Sequence, residues 1–351
     1  MKKISLTLIC CSLLLALSPS GLRPVCAAVS DPEAQEVEKR YVDSMDTFIT
    51  LTAYGSMRTH ALDLAEAEIL RLNDLLSTGL TDSEISLVNT EGSSVLSPDT
   101  AQIVEKALAL YEDTDGLFDI TVYPLMQLWG FTTKEYHVPS EDELSQTLGR
   151  IGSDRLTYDS ETRRLSLGEG QLIDLGGIAK GYASGRIMDI WRQIGLESGM
   201  VSLGGNVHCL NVKPNGAEWV IAIRDPFGSE ADFAATMKIN DRSVITSGGY
   251  ERYFIDEATG KKYQHIMDPR TVLPVDNDLA SVSIISKDGM LGDGLSTSLY
   301  IMGLEGAVDY WRGHCDEFEM ILIGQDGTLY VTEGLTDLML TPEDFEILTV
   351  Q

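Results

Sequence analysis

Cysteine is scarce in this sequence, with five residues among 351. Cys10 and Cys11 lie in an apolar segment at the N-terminus, and Cys209 and Cys315 are far apart along the chain. There is no CxxC pair and no cluster of cysteine with histidine, which excludes a zinc site and a disulfide framework. The fold must therefore be held together by its core, for which a hydrophobic content of 43% is sufficient.

Basic residues are also few, since 26 lysines and arginines face 54 aspartates and glutamates and leave a net charge of -28. Such a charge repels DNA, RNA and anionic lipid headgroups, which argues against nucleic-acid binding. A substrate that carries phosphate would have to be held locally by a metal ion, by one or two lysines, or by backbone N–H groups.

A long apolar run occurs only near the N-terminus, from Ile4 to Leu17, behind two lysines. This run is too short for a membrane span, and with the small residues around Ala28 it is typical of an export signal over residues 1–28. We therefore predict an exported protein at the extracytoplasmic face of the cell membrane, in the periplasm or on the cell surface. Cys26 leaves a lipid anchor open as an alternative to plain cleavage.

Domain organisation follows from the change of pattern after this signal. Residues 29–44 are polar and predict a tether, and residues 45–351 predict a single domain. Alternation predicts a strand over Phe48–Tyr54, whereas apolar residues at helical spacing predict helices over Leu62–Leu76 and Thr100–Glu112. The later part of the chain is mostly β in pattern. Strands and helices mixed without a regular βαβ alternation predict the α+β class.

The stretch "GDGLSTSLYIMG" opens a predicted helix near Met290 and carries an acid and a hydroxyl. Asp293 and Thr297 are four residues apart, so they lie on one helix face. Hard oxygen donors of this kind suit Mg²⁺, which keeps positions for waters or substrate phosphates. The alternative is that Asp293 caps the helix and Thr297 is an ordinary core or surface residue.

The stretch "DLGGIAKG" predicts a glycine-rich turn that opens another helix. It is not a phosphate loop of the GxxxxGKS/T type, because Gly181 follows Lys180. The turn can still expose backbone groups to a ligand, and Lys180 at the helix start can reach a phosphate. A tight strand-to-helix turn without a ligand is the alternative.

The stretch "YQHIMDPRTVLPV" places His265 in a turn bounded by prolines. An imidazole with an ordinary pKa of about 6.5 is the readiest general base near neutral pH. The alternative is a structural histidine that is hydrogen-bonded in the turn. No GxSxG motif or Cys/His arrangement predicts a covalent nucleophile, so the attacking group would come from a partner or from water.

Several motifs, taken together and in this order, resemble those of the ApbE family, the FAD:protein FMN transferases or flavin transferases. The motifs are "MDTFITL", "GLFDITVYPLMQLWGF", "IDLGGIAKGYA", "HIMDPRTVLPV" and "DGLSTSLYIMG". The resemblance implies a T-fold-like α+β catalytic domain that binds FAD and Mg²⁺. It also implies that the FAD diphosphate is split, that AMP leaves, and that FMN is joined to a Thr or Ser hydroxyl of a target flavoprotein. Typical targets are exported or membrane flavoproteins, such as redox-pump subunits and flavin reductases.

The resemblance also assigns roles to residues by their position in the motifs. His265 would take the proton from the acceptor hydroxyl. The metal ligands would be Asp293, Thr297 and the backbone carbonyl of Gly177. The FAD contacts would be Met45, Leu117, Phe118, Asp119, Asp174, Lys180 and Met267.

The chain departs from the family pattern at three places. Asp46 and Val272 stand where the family usually has glycine, and Gly79-Leu80 stands where it commonly has an aromatic residue. Two alternative functions are compatible with the same residues. One is a Mg²⁺-dependent FAD pyrophosphatase, in which water replaces the protein hydroxyl and yields FMN and AMP, and the other is a non-catalytic flavin-binding protein.

Overall fold

The computed structural model describes residues 36–229, 231–340 and 345–351. The predicted export signal over residues 1–28, including Cys26, and the first part of the predicted tether lie outside these residues. Among the described residues, none of the helices combines the length and the apolar character that a bilayer span requires.

Local sequence signals fix several helix starts. Ser97 accepts a hydrogen bond from the backbone N–H of Thr100 and is followed by a proline in the first turn, and Ser140 forms a capping box with Glu143. The α-helices of the described region are α1 Arg58–Leu76, α2 Glu84–Glu91, α3 Pro98–Asp113, α4 Tyr123–Leu128, α5 Glu141–Leu148, α6 Ala179–Gln193 and α7 Gly289–Gly313. The predicted helices over Leu62–Leu76 and Thr100–Glu112 are thereby confirmed as parts of α1 and α3.

The strands of the described region are β1 Val37–Ser44, β2 Thr47–Tyr54, β3 Ser93–Val95, β4 Thr157–Asp159, β5 Arg164–Ser166, β6 Ser198–Leu203, β7 Asn206–Leu210, β8 Trp219–Arg224, β9 Phe233–Ile239, β10 Ser243–Gly248, β11 Tyr253–Ile255, β12 Lys262–Gln264, β13 Met267–Asp268, β14 Leu273–Pro274, β15 Leu279–Ser286, β16 Glu319–Gly324, β17 Leu329–Thr332, β18 Met339–Leu340 and β19 Ile347–Val350. Nine of them form the main sheet in the order β1-β2-β6-β7-β10-β15-β16-β17-β19. Neighbouring strands of this sheet are antiparallel except β17 and β19, which are parallel.

Both faces of the main sheet are covered. Met320 and Leu322 of β16 belong to the core cluster that contains the buried faces of α1, α3, α6 and α7. Ile321 and Ile323 alternate with them and pack instead with residues of β8 and β9 on the other face. Strands covered on both faces read as continuous apolar runs, which is why Met320–Ile323 of β16 shows no alternation of apolar and polar residues.

The predicted tether is wrong over residues 37–44, because β1 pairs with β2 along its whole length, from Val37 opposite Tyr54 to Ser44 opposite Thr47. The sequence shows no apolar alternation for this strand, because it lies at the edge of the sheet and only Val42 is buried. Charged residues are common on such edges because they oppose pairing with another chain. The domain therefore begins before Met45.

The two positions where the family pattern has glycine both lie in left-handed backbone. Met45 and Asp46 form the two-residue connection of the β1–β2 hairpin with φ of 53° and 55°. Positive φ at both central residues is the type I′ arrangement, in which glycine is favoured at the second position. Val272 has φ of 56°, which is unfavourable for a β-branched side chain.

Burial offsets this cost at Val272. Its side chain is 3% exposed and packs in a cluster that includes Leu125, Trp129 and Met267, while its carbonyl accepts a hydrogen bond from Nε1 of Trp129 at 3.3 Å. Full burial of a valine contributes about 1.5–3 kcal/mol, against roughly 1–2 kcal/mol for left-handed backbone. The chain therefore tolerates valine at a position that suits glycine.

Candidate active site

Helices α6 and α7 approach each other most closely at two glycines. A Cβ atom added at Gly181 would lie 2.2 Å from the carbonyl oxygen of Gly289 and 2.8 Å from Cβ of Asp293. A Cβ atom at Gly289 would lie 2.5 Å from the carbonyl oxygen of Gly181. Only glycine fits at both positions, and this close approach brings Asp293 to the first turn of α6.

Replacing Gly181 by alanine should destabilise the protein by about 2–3 kcal/mol, because the added methyl overlaps backbone atoms that cannot move aside easily. The matched control is Gly185→Ala, one turn later on α6, where an added Cβ meets no atom within 4 Å. That change should be neutral or stabilising by up to about 1 kcal/mol, since alanine is the better helix former. Urea unfolding measures both, and equal stability of the two variants would contradict the close helix contact.

Asp293 is buried inside α7 and does not cap the helix. The cap is Asp288, whose carboxylate accepts hydrogen bonds from the backbone N–H groups of Met290 and Leu291. Asp293 is 4% exposed, and its Oδ2 accepts a hydrogen bond from the N–H of Gly181 at 2.8 Å. The capping alternative for Asp293 is therefore wrong.

Lys180 lies near this carboxylate, and Thr297 follows Asp293 by one helical turn. Nζ of Lys180 donates to the carbonyl of Gly176 at 3.2 Å and lies 3.9 Å from Oδ1 of Asp293. Thr297 is half-buried one turn further along α7, with its hydroxyl 3.4 Å from Oγ of Ser247. Asp293 thus contacts the first turn of α6, whereas Thr297 contacts Ser247 of β10.

The ring of Phe118 lies between that turn and α7. A Cβ atom added at Gly177 would lie 3.3 Å from Cε2 of Phe118, and one added at Gly294 would lie 3.5 Å from the same atom. Gly177 itself is exposed, so its carbonyl group remains near solvent. The segment after α3, the turn and α7 therefore meet at one place, as the resemblance implies.

Asp174 opens the turn with a carboxylate that accepts a hydrogen bond from the N–H of Gly176. Burial raises the pKa of Asp174, while the Gly176 hydrogen bond and the charge of Lys180 act in the opposite direction. The negative charge of Asp46, at the tip of the β1–β2 hairpin, also raises it. The hairpin tip with Met45 is therefore close enough to act on this turn.

His265 is half-buried and is held by one carbonyl group. The carbonyl of Arg252 accepts a hydrogen bond from the backbone N–H of His265 at 3.0 Å, and Nδ1 of the ring lies 3.1 Å from the same oxygen. A carbonyl can only accept, so Nδ1 carries the proton and Nε2 keeps a lone pair. The imidazole is in the tautomer that a general base requires.

Burial, together with the positive charges of Arg252 and Lys180, lowers the pKa of His265 to about 4, although the hydrogen bond to the Arg252 carbonyl acts in the opposite direction. The ring is therefore neutral at pH 7. The ring of Phe131 lies against it, with centroids 6.4 Å apart.

His208 contacts the first turns of α6 through the side chain of Ser184. Oγ of Ser184 donates to the carbonyl of Gly181 at 2.9 Å and lies 3.1 Å from Nδ1 of His208. His208 is 2% exposed, and its Nε2 has no hydrogen-bond partner in the described part of the chain. Burial lowers the pKa of His208 to about 4.

The stability of the protein should fall as the pH is lowered from about 6.5 to about 4. In this window the unfolded chain binds a proton at His208 that the folded chain excludes, so protonation favours unfolding. The free energy of unfolding should be lower by about 3 kcal/mol at pH 4. His208→Gln cannot take up this proton, and its stability should fall less steeply over the same window. Urea unfolding at pH 7 and at pH 4.5 measures the difference, and equal pH dependence of the two proteins would contradict a buried neutral His208.

The structure shows the surroundings of several further residues that were predicted to contact FAD. Leu117 and Met267 are 5% exposed, and the N–H of Met45 donates to the side chain of Asn73. The carboxylate of Asp119 is engaged within the protein, since it accepts hydrogen bonds from Thr121 and Ser153. A contact of Asp119 with FAD would therefore involve its backbone, and each of these contacts stays a prediction.

Sequence reasoning missed Arg252, whose positive charge lowers the pKa of both Asp174 and His265. It lies in "GYERYF", which reads as part of a strand pattern and shows nothing of its place beside His265. The protein is of the α+β class, and its candidate site, here called the cleft, comprises the cations Lys180 and Arg252, the carboxylates of Asp174 and Asp293, and the neutral His265. This is the composition expected of a site that acts on an anionic substrate.

Comparison with known proteins identifies the family. The model of the ApbE family matches residues 45–322, so the chain belongs to the ApbE family. It is 35% identical to the FAD:protein FMN transferase of Vibrio cholerae over 271 residues, which cover 75% of this chain and 80% of that protein. It is also 35% identical to the FAD:protein FMN transferase of Klebsiella pneumoniae over 241 residues, which cover 68% of this chain and 74% of that one.

Solved structures confirm the α+β fold predicted from the sequence. The ApbE protein of Thermotoga maritima superimposes with a TM-score of 0.79 at 29% identity, covering 85% of this chain and 98% of that one. The flavin transferase ApbE from Vibrio cholerae superimposes with a TM-score of 0.76 at 28% identity, covering 87% of this chain and 99% of that one.

Proposed function

We propose that this protein transfers FMN from FAD to a threonine or serine hydroxyl of a target flavoprotein and releases AMP, with Mg²⁺ as its metal ion. The observation that carries the proposal is the neutral His265, whose Nε2 has no hydrogen-bond partner among the described residues and whose pKa is lowered by the charge of Lys180. Lys180 in turn lies 3.9 Å from the carboxylate of Asp293. The curated relatives named FAD:protein FMN transferase support the same reaction.

The reaction needs a proton acceptor for the attacking hydroxyl. Nε2 of His265 takes the hydroxyl proton, a bond forms between the hydroxyl oxygen and the phosphorus of the FMN half, and the bond from that phosphorus to the AMP oxygen breaks. A base with a pKa of about 4 is weak. The negative charges of the bound diphosphate raise that pKa, so the base becomes effective when the substrate is in place.

The donor set of the cleft fits Mg²⁺. Asp293, Thr297 and the carbonyl of Gly177 would hold the ion with oxygen atoms alone, and Mg²⁺ prefers such ligands. The described residues contain no group of three or more His, Cys, Asp or Glu side chains that could hold a metal ion, which is consistent with a site completed by substrate phosphates and water. The ion would stabilise the charge that develops on the phosphoryl oxygens and on AMP.

The acceptor and the location complete the proposal. The predicted export signal over residues 1–28 supports action on the extracytoplasmic side of the membrane, as a free or lipid-anchored protein. Targets would be exported or membrane flavoproteins with an accessible Thr or Ser, such as redox-pump subunits or flavin reductases.

The test is co-expression with a candidate flavoprotein that carries a Thr or Ser acceptor, followed by mass spectrometry of that flavoprotein. We expect a mass increase equal to covalently bound FMN, lost when the acceptor residue is replaced by alanine. In parallel, the purified protein is incubated with FAD and Mg²⁺ alone. Rapid AMP release without any FMN attachment would identify the pyrophosphatase alternative, and tight FAD binding without either product would identify a flavin-binding protein.

A further inference from the structure

We propose that the guanidinium group of Arg252 binds the phosphate groups of the flavin nucleotide. This inference rests on the proposed function, because it requires that a phosphate-bearing nucleotide occupies the cleft. Arg252 is not among the residues that the motifs identify.

The backbone of Arg252 lies directly at the proposed base. Its carbonyl oxygen holds both the N–H and the ring Nδ1 of His265, at 3.0 and 3.1 Å. Arg252 immediately precedes β11, which pairs with β12, and His265 immediately follows β12. The hairpin thus fixes the two residues side by side, and a phosphate within reach of His265 is near Arg252.

The side chain of Arg252 is anchored at one nitrogen only. Nη2 donates to the carbonyl of Phe131 at 2.8 Å, which ties the guanidinium to the segment whose ring packs against His265. Among the described residues, Nε and Nη1 make no hydrogen bond and no carboxylate forms an ion pair with the group. Arg252 is exposed, so these N–H groups remain accessible to a ligand.

The charge of this group acts on the centre of the cleft. It lowers the pKa of His265 and that of Asp174, and the charge of Lys180 lowers both as well. By contrast, Lys261 on the same hairpin is paired with Asp276 at 3.5 Å, and Nζ of Lys262 lies over the ring of Tyr253. Arg252 is therefore the cation of this hairpin that remains available for a ligand.

The chemistry of the group suits a phosphate. A guanidinium presents parallel N–H donors that match two phosphate oxygens, and such charge-assisted pairs are stronger than neutral hydrogen bonds. With Lys180 at one end and Arg252 at the other, the diphosphate would be held between two cations in an otherwise acidic protein. This arrangement would also place the reacting phosphorus beside Nε2 of His265.

The test is the affinity of the full-length protein for FAD, measured by flavin fluorescence at low and high salt for wild type, Arg252→Gln, Arg252→Lys and Lys262→Gln. For Arg252→Gln we expect a Kd for FAD increased by roughly 10- to 100-fold and a weaker salt dependence. Arg252→Lys keeps the charge, so its salt dependence should remain, with a several-fold higher Kd. Lys262→Gln, the same loss of charge on the same hairpin, should bind FAD as wild type does.

Thermal unfolding identifies any variant that fails to fold. If Arg252→Gln fails to fold, the Kd values of Arg252→Lys and Lys262→Gln for FAD are compared instead to test the inference. An unchanged Kd for the folded Arg252 variants, or an equal loss in Lys262→Gln, would overturn the inference while leaving the transferase proposal intact. Absence of FAD binding by the wild-type protein would instead contradict the proposed function itself.

Discussion

Replacing Asp293 by asparagine should lower Mg²⁺-dependent turnover by about 1,000-fold or more, because a metal ion at a phosphoryl group contributes several kcal/mol to transition-state stabilisation. Asparagine has nearly the same size and can still accept the hydrogen bond that Gly181 donates at 2.8 Å. The change therefore removes the charge and spares the contact between α6 and α7. Turnover is measured as AMP release from FAD over a range of Mg²⁺ concentrations, and Asp293→Ala should lose it as well.

The control for this variant lies on the same helix. Asp288 caps α7, and asparagine caps helices as well as aspartate does, so Asp288→Asn should leave turnover near the wild-type level. If Asp293→Asn kept full Mg²⁺-dependent activity, Asp293 would not be a metal ligand. If both variants lost activity equally, the loss would reflect the helix rather than the site.

The second large effect is expected at His265. The His265→Ala variant should transfer FMN about 10²–10⁴ times more slowly than wild type, which is the usual contribution of a general base. Its affinity for FAD should change little, because the diphosphate would still meet Lys180 and Arg252. Single-turnover transfer and fluorescence binding measure the two quantities separately.

His60 provides the control, since it is an exposed histidine in the first turn of α1, and His60→Ala should transfer at the wild-type rate. Full transfer by His265→Ala would reduce His265 to a structural residue of the turn. A parallel loss of FAD affinity would instead assign His265 to binding.

The sequence predicts best where a feature is local. Helical spacing identifies α1 and α3, and alternation identifies β2, because both kinds of periodicity act over a few residues. The edge strand β1 is not predicted, because a strand with one buried residue shows no alternation of apolar and polar residues. Its place in the sheet depends on β2, whose own pairing with β6 is distant in sequence.

The candidate site was predictable in its parts and not in its arrangement. Asp293 and Thr297 share a helix face, which spacing alone shows. The hydrogen bonds of His265 to the carbonyl of Arg252 depend on a strand pairing, and the contact of Gly181 with Gly289 depends on two helices that cross. Spacing within one segment carries no information on either, so the tautomer of His265 and the role of Gly181 emerge only from the structure.

The pairing of β2 with β6, where Ile49 lies opposite Leu203, also has a kinetic consequence. The central sheet can close only after chain segments far apart in sequence have met, and contacts of this kind slow folding because loop-closure entropy must be overcome first. The proposed site would combine Met45 from the first hairpin with His265 and Asp293 from the last third of the chain. Refolding experiments should therefore show FAD binding returning with the slowest phase, after most helical signal has recovered.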